Sequence, residues 1–128
     1  MESYLIEELT VNEKGIYFPD GSLIPWSTFY KNNYYFRFKE DALGFSKEIE
    51  DSLDAYWYPF IIYFYWVEII PYNEDMNSIR IHFPKGQDQQ NEFKSLAAYY
   101  ILKEVKMLNM LASKNNDEAN NLILKIFK

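Results

Sequence analysis

Residues 56–70 (YWYPFIIYFYWVEII) are apolar at odd and even positions alike, the pattern of a central strand covered on both faces. A buried helix would share that pattern, but the enrichment in aromatic and β-branched residues decides for a strand. Length argues against a membrane span, since the run has about 15 residues against the roughly 20 a spanning helix needs. It also contains Pro59 and Glu68. The same bias runs through the chain, which is 20% aromatic with 12 Tyr and 10 Phe, so sheet content should be substantial. With 128 residues, 48% of them apolar and 25% charged, a single domain spanning residues 1–128 is expected.

Residues 3–11 (SYLIEELTV) read as a strand that turns at Asn12-Glu13-Lys14-Gly15 and pairs with Ile16-Tyr17-Phe18. Pro19-Asp20-Gly21 is a second turn, after which residues 22–30 (SLIPWSTFY) resume an extended pattern, with Pro25 implying an edge or a bulge. Residues 34–39 (YYFRFK) alternate Tyr34, Phe36 and Phe38 against Tyr35, Arg37 and Lys39, one face buried and one wet. Over residues 41–56 the spacing of Ala42, Phe45, Ile49 and Leu53 predicts an amphipathic helix with Ser46 as N-cap. The aromatic run then pairs with residues 79–83 (IRIHF) across a loop at residues 73–78. Asp88 caps a long helix marked by Phe93, Leu96, Ala97, Tyr100, Ile101, Val105, Leu108 and Ala112, and Asp117 caps a short final one carrying Leu122, Ile123, Ile126 and Phe127. The expected fold is α+β: a strongly curved antiparallel sheet of about six strands, with a helix between strands and a long C-terminal helix packed on the sheet.

Chemistry is narrowed mainly by exclusion. Without cysteine there is no disulfide framework, thiolate metal site or catalytic thiol. His82 is the sole histidine and falls on the wet side of an alternating strand, beside Arg80, although Glu68 or Glu74 across the hairpin would be the carboxylate to orient it. Glu48, Glu50, Asp51 and Asp54 line the polar face of the helix predicted over residues 41–56, and Glu40 and Asp41 extend the patch. A solvated helix face is the ordinary explanation; a negative surface offered to a basic partner is the functional one. Asn73-Glu74-Asp75 lacks calcium-loop spacing, and Gly15, Gly21, Gly44 and Gly86 are too dispersed to cradle a phosphate. Neither a catalytic set, a metal nor a cofactor is expected. A net charge of −6 disfavours nucleic acid, despite the interleaved aromatics and cations of residues 34–39. Tyr35 and Arg37 on the wet face of that strand are instead typical anchors of a protein interface. The acidic first residues, with Glu2, Glu7 and Glu8, do not read as a signal peptide, and a cytoplasmic bacterial protein is expected.

Within residues 9–30, Leu9-Thr10-Val11, Gly15-Ile16-Tyr17, the Pro19-Asp20-Gly21 turn and Ile24-Pro25-Trp26-Ser27 resemble the opening of bacterial pleckstrin-homology-like domains of the YcxB-like kind. That resemblance implies a bent antiparallel sheet capped by a C-terminal helix and carries no catalytic residues with it. Two functions follow. One is a non-enzymatic protein-binding module, of inhibitor or immunity type, presenting Glu48, Glu50, Asp51, Asp54, Tyr35 and Arg37 to a basic partner. The other is a small-ligand or lipid-headgroup-binding domain with an apolar cavity near Trp26, Trp57 or Trp66.

Overall fold

A computed structural model describes residues 2–45, 60–108 and 116–128. Strands β1 (Ser3–Ile6), β2 (Leu9–Asn12), β3 (Gly15–Tyr17) and β4 (Leu23–Pro25) form a four-stranded antiparallel meander. A single helical turn, α1 (Ser27–Tyr30), leads to β5 (Tyr34–Phe45), β6 (Phe60–Pro71) and β7 (Ile79–His82), a second antiparallel sheet of three strands. Helices α2 (Gln87–Met107) and α3 (Asn116–Ile126) complete the described elements. The fold is thus α+β as expected, but two sheets of four and three strands replace the single sheet of about six.

The extra strand arises inside residues 3–11. Ile6, Leu9 and Val11 are all buried, and the three-residue step from Ile6 to Leu9 cannot lie on one face of a period-two strand. A turn at Glu7-Glu8 resolves the conflict: Glu7 takes φ 53° and Ile6 pairs with Leu9 across it. The expected extension of residues 22–30 fails after Pro25, on edge strand β4, because Trp26 turns into α1 and is fully buried there. Its Nε1 donates to the Asn12 carbonyl at 2.8 Å and its ring stacks on Tyr100 at 5.9 Å. Gly15 makes the opposite strand's approach possible: a Cβ there would lie 2.1 Å from the Ile24 carbonyl oxygen, and its φ is 148°.

The helix predicted over residues 41–56 is also corrected at its start. Residues 41–45 continue β5, paired from Asp41↔Phe64 to Phe45↔Phe60, so cross-strand pairing with the apolar run overrides the three-and-four spacing of Ala42 and Phe45. The remainder of that helix, with Ser46, lies outside the described residues. Likewise Asp88 stands in the first turn of α2, whereas Gly86 occupies the N-cap position.

One buried cluster draws on both described sheets and all three described helices. Phe36 is its hub, stacked on Phe29 at 4.2 Å, edge-on to Phe93 at 5.8 Å and 5.1 Å from Phe127. Helix α2 crosses the core and contributes two buried amides. Gln90 Nε2 donates to the carbonyls of Lys39 and Trp66, each at 3.0 Å, while Gln89 accepts from the Lys85 amide and donates to Glu7. Helix α3 lies against β5 and α1, and beyond it Phe127 bridges to Phe36 in parallel, with the Lys128 amide donating to the Phe36 carbonyl at 2.8 Å. Among the described residues no helix is long and apolar enough to cross a membrane.

Two outcomes test this packing. Gly15→Ala should lower stability by about 3 kcal/mol or more, read as a fall in the urea midpoint, because both backbone strain and a clash are introduced. Burial, then the hydrogen bond and negative charge of Glu104, push the Tyr30 hydroxyl up to about 12. Its stabilising contribution is full below pH 10 and is lost as pH rises through 12, so Tyr30→Phe should cost roughly 1.5–3 kcal/mol at neutral pH and flatten alkaline unfolding.

Candidate functional site

With Phe36 in the core, the alternation of β5 sends Tyr35, Arg37 and Lys39 to the outer face of the three-stranded sheet. Register does the rest. Tyr35 stands opposite Ile70, Arg37 opposite Glu68, and Lys39 opposite Trp66; one strand further, Glu68 faces Arg80 and Trp66 faces His82. Three strands therefore present a single surface of aromatic and charged side chains.

Side-chain contacts order that surface. Arg80 Nη2 lies 3.2 Å from Glu68 Oε1, the same oxygen that accepts from Trp66 Nε1 at 3.2 Å, and the guanidinium of Arg80 sits 5.2 Å from the Trp66 ring centroid. Arg80 is 55% exposed, so this ion pair adds at most about 1 kcal/mol; its effect is to hold Trp66 and Arg80 in place. Partial burial alone would raise the Glu68 carboxyl, but hydrogen bonds from Trp66 and Arg80, with the charges of Lys39 and Arg80, keep it below its ordinary value. Further along β5, Lys128 Nζ sits 4.5 Å from the Tyr35 ring centroid and 5.5 Å from that of Tyr72. Arg37 lies 5.9 Å from the Tyr35 ring. A hollow of about 430 Å³ opens here, lined by Tyr35, Ile70, Tyr72, Glu74, Met76 and Lys128 among others.

Tyr35 and Arg37, expected from sequence, are thus neighbours on one surface. Glu48, Glu50, Asp51 and Asp54 lie outside the described residues, whereas Asp41 and Glu40 belong to β5. His82 is exposed on edge strand β7, 6.5 Å from Trp66, and Glu68 bonds Trp66 and Arg80 instead of His82. No base–orienter pair forms between them. No group of three metal-binding side chains occurs among the described residues.

Arg80, Tyr72 and Lys128 are not among the site residues expected from sequence, and Trp66 is expected there only beside an apolar cavity. The apolar run predicts coverage of Trp66's strand on both faces, yet Tyr63 and Phe64 are 57% and 46% exposed, so that coverage fails. The alternation of IRIHF and the pairing register would have put Arg80, Glu68 and Trp66 together. Nothing in the sequence signals Lys128. As for an apolar cavity, Trp26 is fully enclosed; a hollow of about 470 Å³ opens beyond its stacking partner, lined by Tyr100, Lys103, Glu104, Met107 and Leu108 among others. Trp57 lies outside the described residues.

Comparison of the chain with protein-family models, with curated proteins and with solved structures gave no match.

The electrostatic order of the face can be read directly. In Arg80→Leu, the Glu68 carboxyl should titrate higher than in the parent when followed by carbon-detected NMR, because two interactions holding it down are removed. The stability Glu68 contributes is present above the ordinary carboxylate range and lost as pH falls through its lowered pKa, and the variant should lose less on acidification.

Proposed function

We propose that this protein is a non-enzymatic protein-binding module whose contact surface is the outer face of the three-stranded sheet. The observation that carries the reading is the convergence of Tyr35, Arg37, Trp66 and Arg80 on one face, each accessible or half-accessible and set on a paired strand. Tyr, Trp and Arg dominate interface energetics, and Tyr and Trp give large contact area with few rotatable bonds. Strands hold them before a partner arrives, which lowers the ordering cost of association. A module of this kind acts by occupying a partner's surface, as an inhibitor or immunity-type protein does, and needs no chemistry of its own.

A second reading, a small-ligand or lipid-headgroup-binding domain of the pleckstrin-homology-like kind, is supported by the long helix laid across antiparallel sheets and by the hollow at Tyr35, Tyr72 and Lys128. The exposed anchors favour the first, since a headgroup pocket would not require Trp66 and Arg80 on an open face.

Alanine variants separate the two. Tyr35→Ala, Arg37→Ala and Trp66→Ala should each remain folded and weaken capture of one and the same native protein partner by tenfold or more, about 1.4 kcal/mol or greater. Tyr99→Ala, at a 56% exposed site on α2, should leave capture unchanged. Retention of the partner by all three face variants would contradict the proposal.

A further inference from the structure

Resting on that reading of the sheet face, we infer that the partner presents an acidic, extended polypeptide segment that lies along β5. The chain carries 19 acidic and 13 basic residues, so a cationic surface is not its compositional default. Yet Arg37, Lys39, Arg80 and Lys128 gather on or beside this face, against Glu68 on the face and Glu74 in the hollow beside Lys128. Of these four cations, Arg80 is in an ion pair with Glu68. Arg37, Lys39 and Lys128 have no carboxylate within ion-pair distance in the described part of the molecule.

The aromatic rings serve as supports for these cations. Lys128 lies over both Tyr35 and Tyr72, Arg37 over Tyr35, and Arg80 over Trp66. A cation held against a ring face is positioned without being neutralised, and its outward side remains open to a carboxylate. The same contacts occupy the ring faces on which nucleobases would stack, which disfavours single-stranded nucleic acid. Long polyanions and anionic bilayers also meet the whole molecule's net charge of −6. A short acidic segment interacts within a screening length of roughly 8–10 Å and meets mainly the local patch.

Spacing supplies the conformation. Arg37 and Lys39 are two residues apart on one face of a strand, hence roughly 7 Å apart, which matches the repeat of alternate side chains in an extended peptide. Lys128, over Tyr35, continues the row beyond Arg37.

The test uses the full chain and a synthetic peptide of alternating Glu and Ser, with its Gln-for-Glu counterpart, read by amide and side-chain NMR shifts. Saturable shifts at Tyr35, Arg37, Lys39, Trp66 and Lys128 are expected with the Glu peptide and not with the Gln peptide. Arg37→Glu with Lys39→Glu should weaken binding more than tenfold, and added salt should weaken it further. Should the charge-reversed protein fail to fold, Arg37→Gln with Lys39→Gln removes the charges while keeping a polar side chain and must still show a clear loss. Equal response to both peptides, shifts elsewhere on the molecule, or tighter binding through the same residues to oligothymidylate or to phosphatidylserine vesicles would overturn the inference. Absence of peptide binding while Tyr35→Ala still loses its captured partner would overturn the acidic class alone and leave the face as the contact surface.

Discussion

Burial of the Phe36 ring decides which way the side chains of β5 from Tyr34 to Ala42 point. Fully buried, and in contact with the rings of Phe29, Phe38, Phe93 and Phe127, it joins α1, α2, β5 and the residues after α3 at one point. Burying such a side chain is worth roughly 1.5–3 kcal/mol, and each well-placed aromatic pair adds about 0.5–1.5 kcal/mol. A one-residue slip of β5 would exchange Phe36 for Tyr35 or Arg37 and place a charged or hydroxylated side chain in the aromatic cluster. The core therefore sets the register, and the register composes the outer face.

Helix α2 tightens that dependence from the inner side. Gln90 binds the carbonyls of Lys39 and Trp66, the two residues that stand opposite each other on the outer face. Buried side-chain nitrogens and oxygens among the described residues all have partners, so this amide pins β5 to β6 without leaving an unsatisfied side-chain atom. Gln89 does the same for the Glu7 turn and the loop before α2, which ties the four-stranded sheet to the helix that backs the three-stranded one. Site and scaffold thus share hydrogen bonds although the side chains of the face are wet.

Much of this was legible beforehand, and the failures have identifiable causes. The alternation of residues 34–39 put Phe36 inside and Tyr35 and Arg37 outside, and the long helix and the β6–β7 hairpin followed from periodicity and turn chemistry. The Glu7-Glu8 turn was hidden because neither residue is a customary turn former, and only the Ile6-to-Leu9 step betrays it. Continuous apolar content in β6 predicts coverage on both faces, yet large apolar side chains are often left exposed, as Tyr63 and Phe64 are. Helical spacing at Ala42 and Phe45 gave way to the pairing offered by a long neighbouring strand. Trp66, Arg80 and Lys128 joined the candidate site through register and tertiary contact, which no single segment of sequence displays.

The central claim is that this molecule meets its partner with the outer face of the three-stranded sheet. Hydroxyl-radical footprinting of the full chain, free and bound to its captured partner, tests it at the level of side chains. Oxidation of Tyr35 and Trp66 should fall on binding while that of Tyr99 on α2 is unchanged. Protection of Tyr99 and Tyr4, with Tyr35 and Trp66 as reactive as in the free protein, would contradict it.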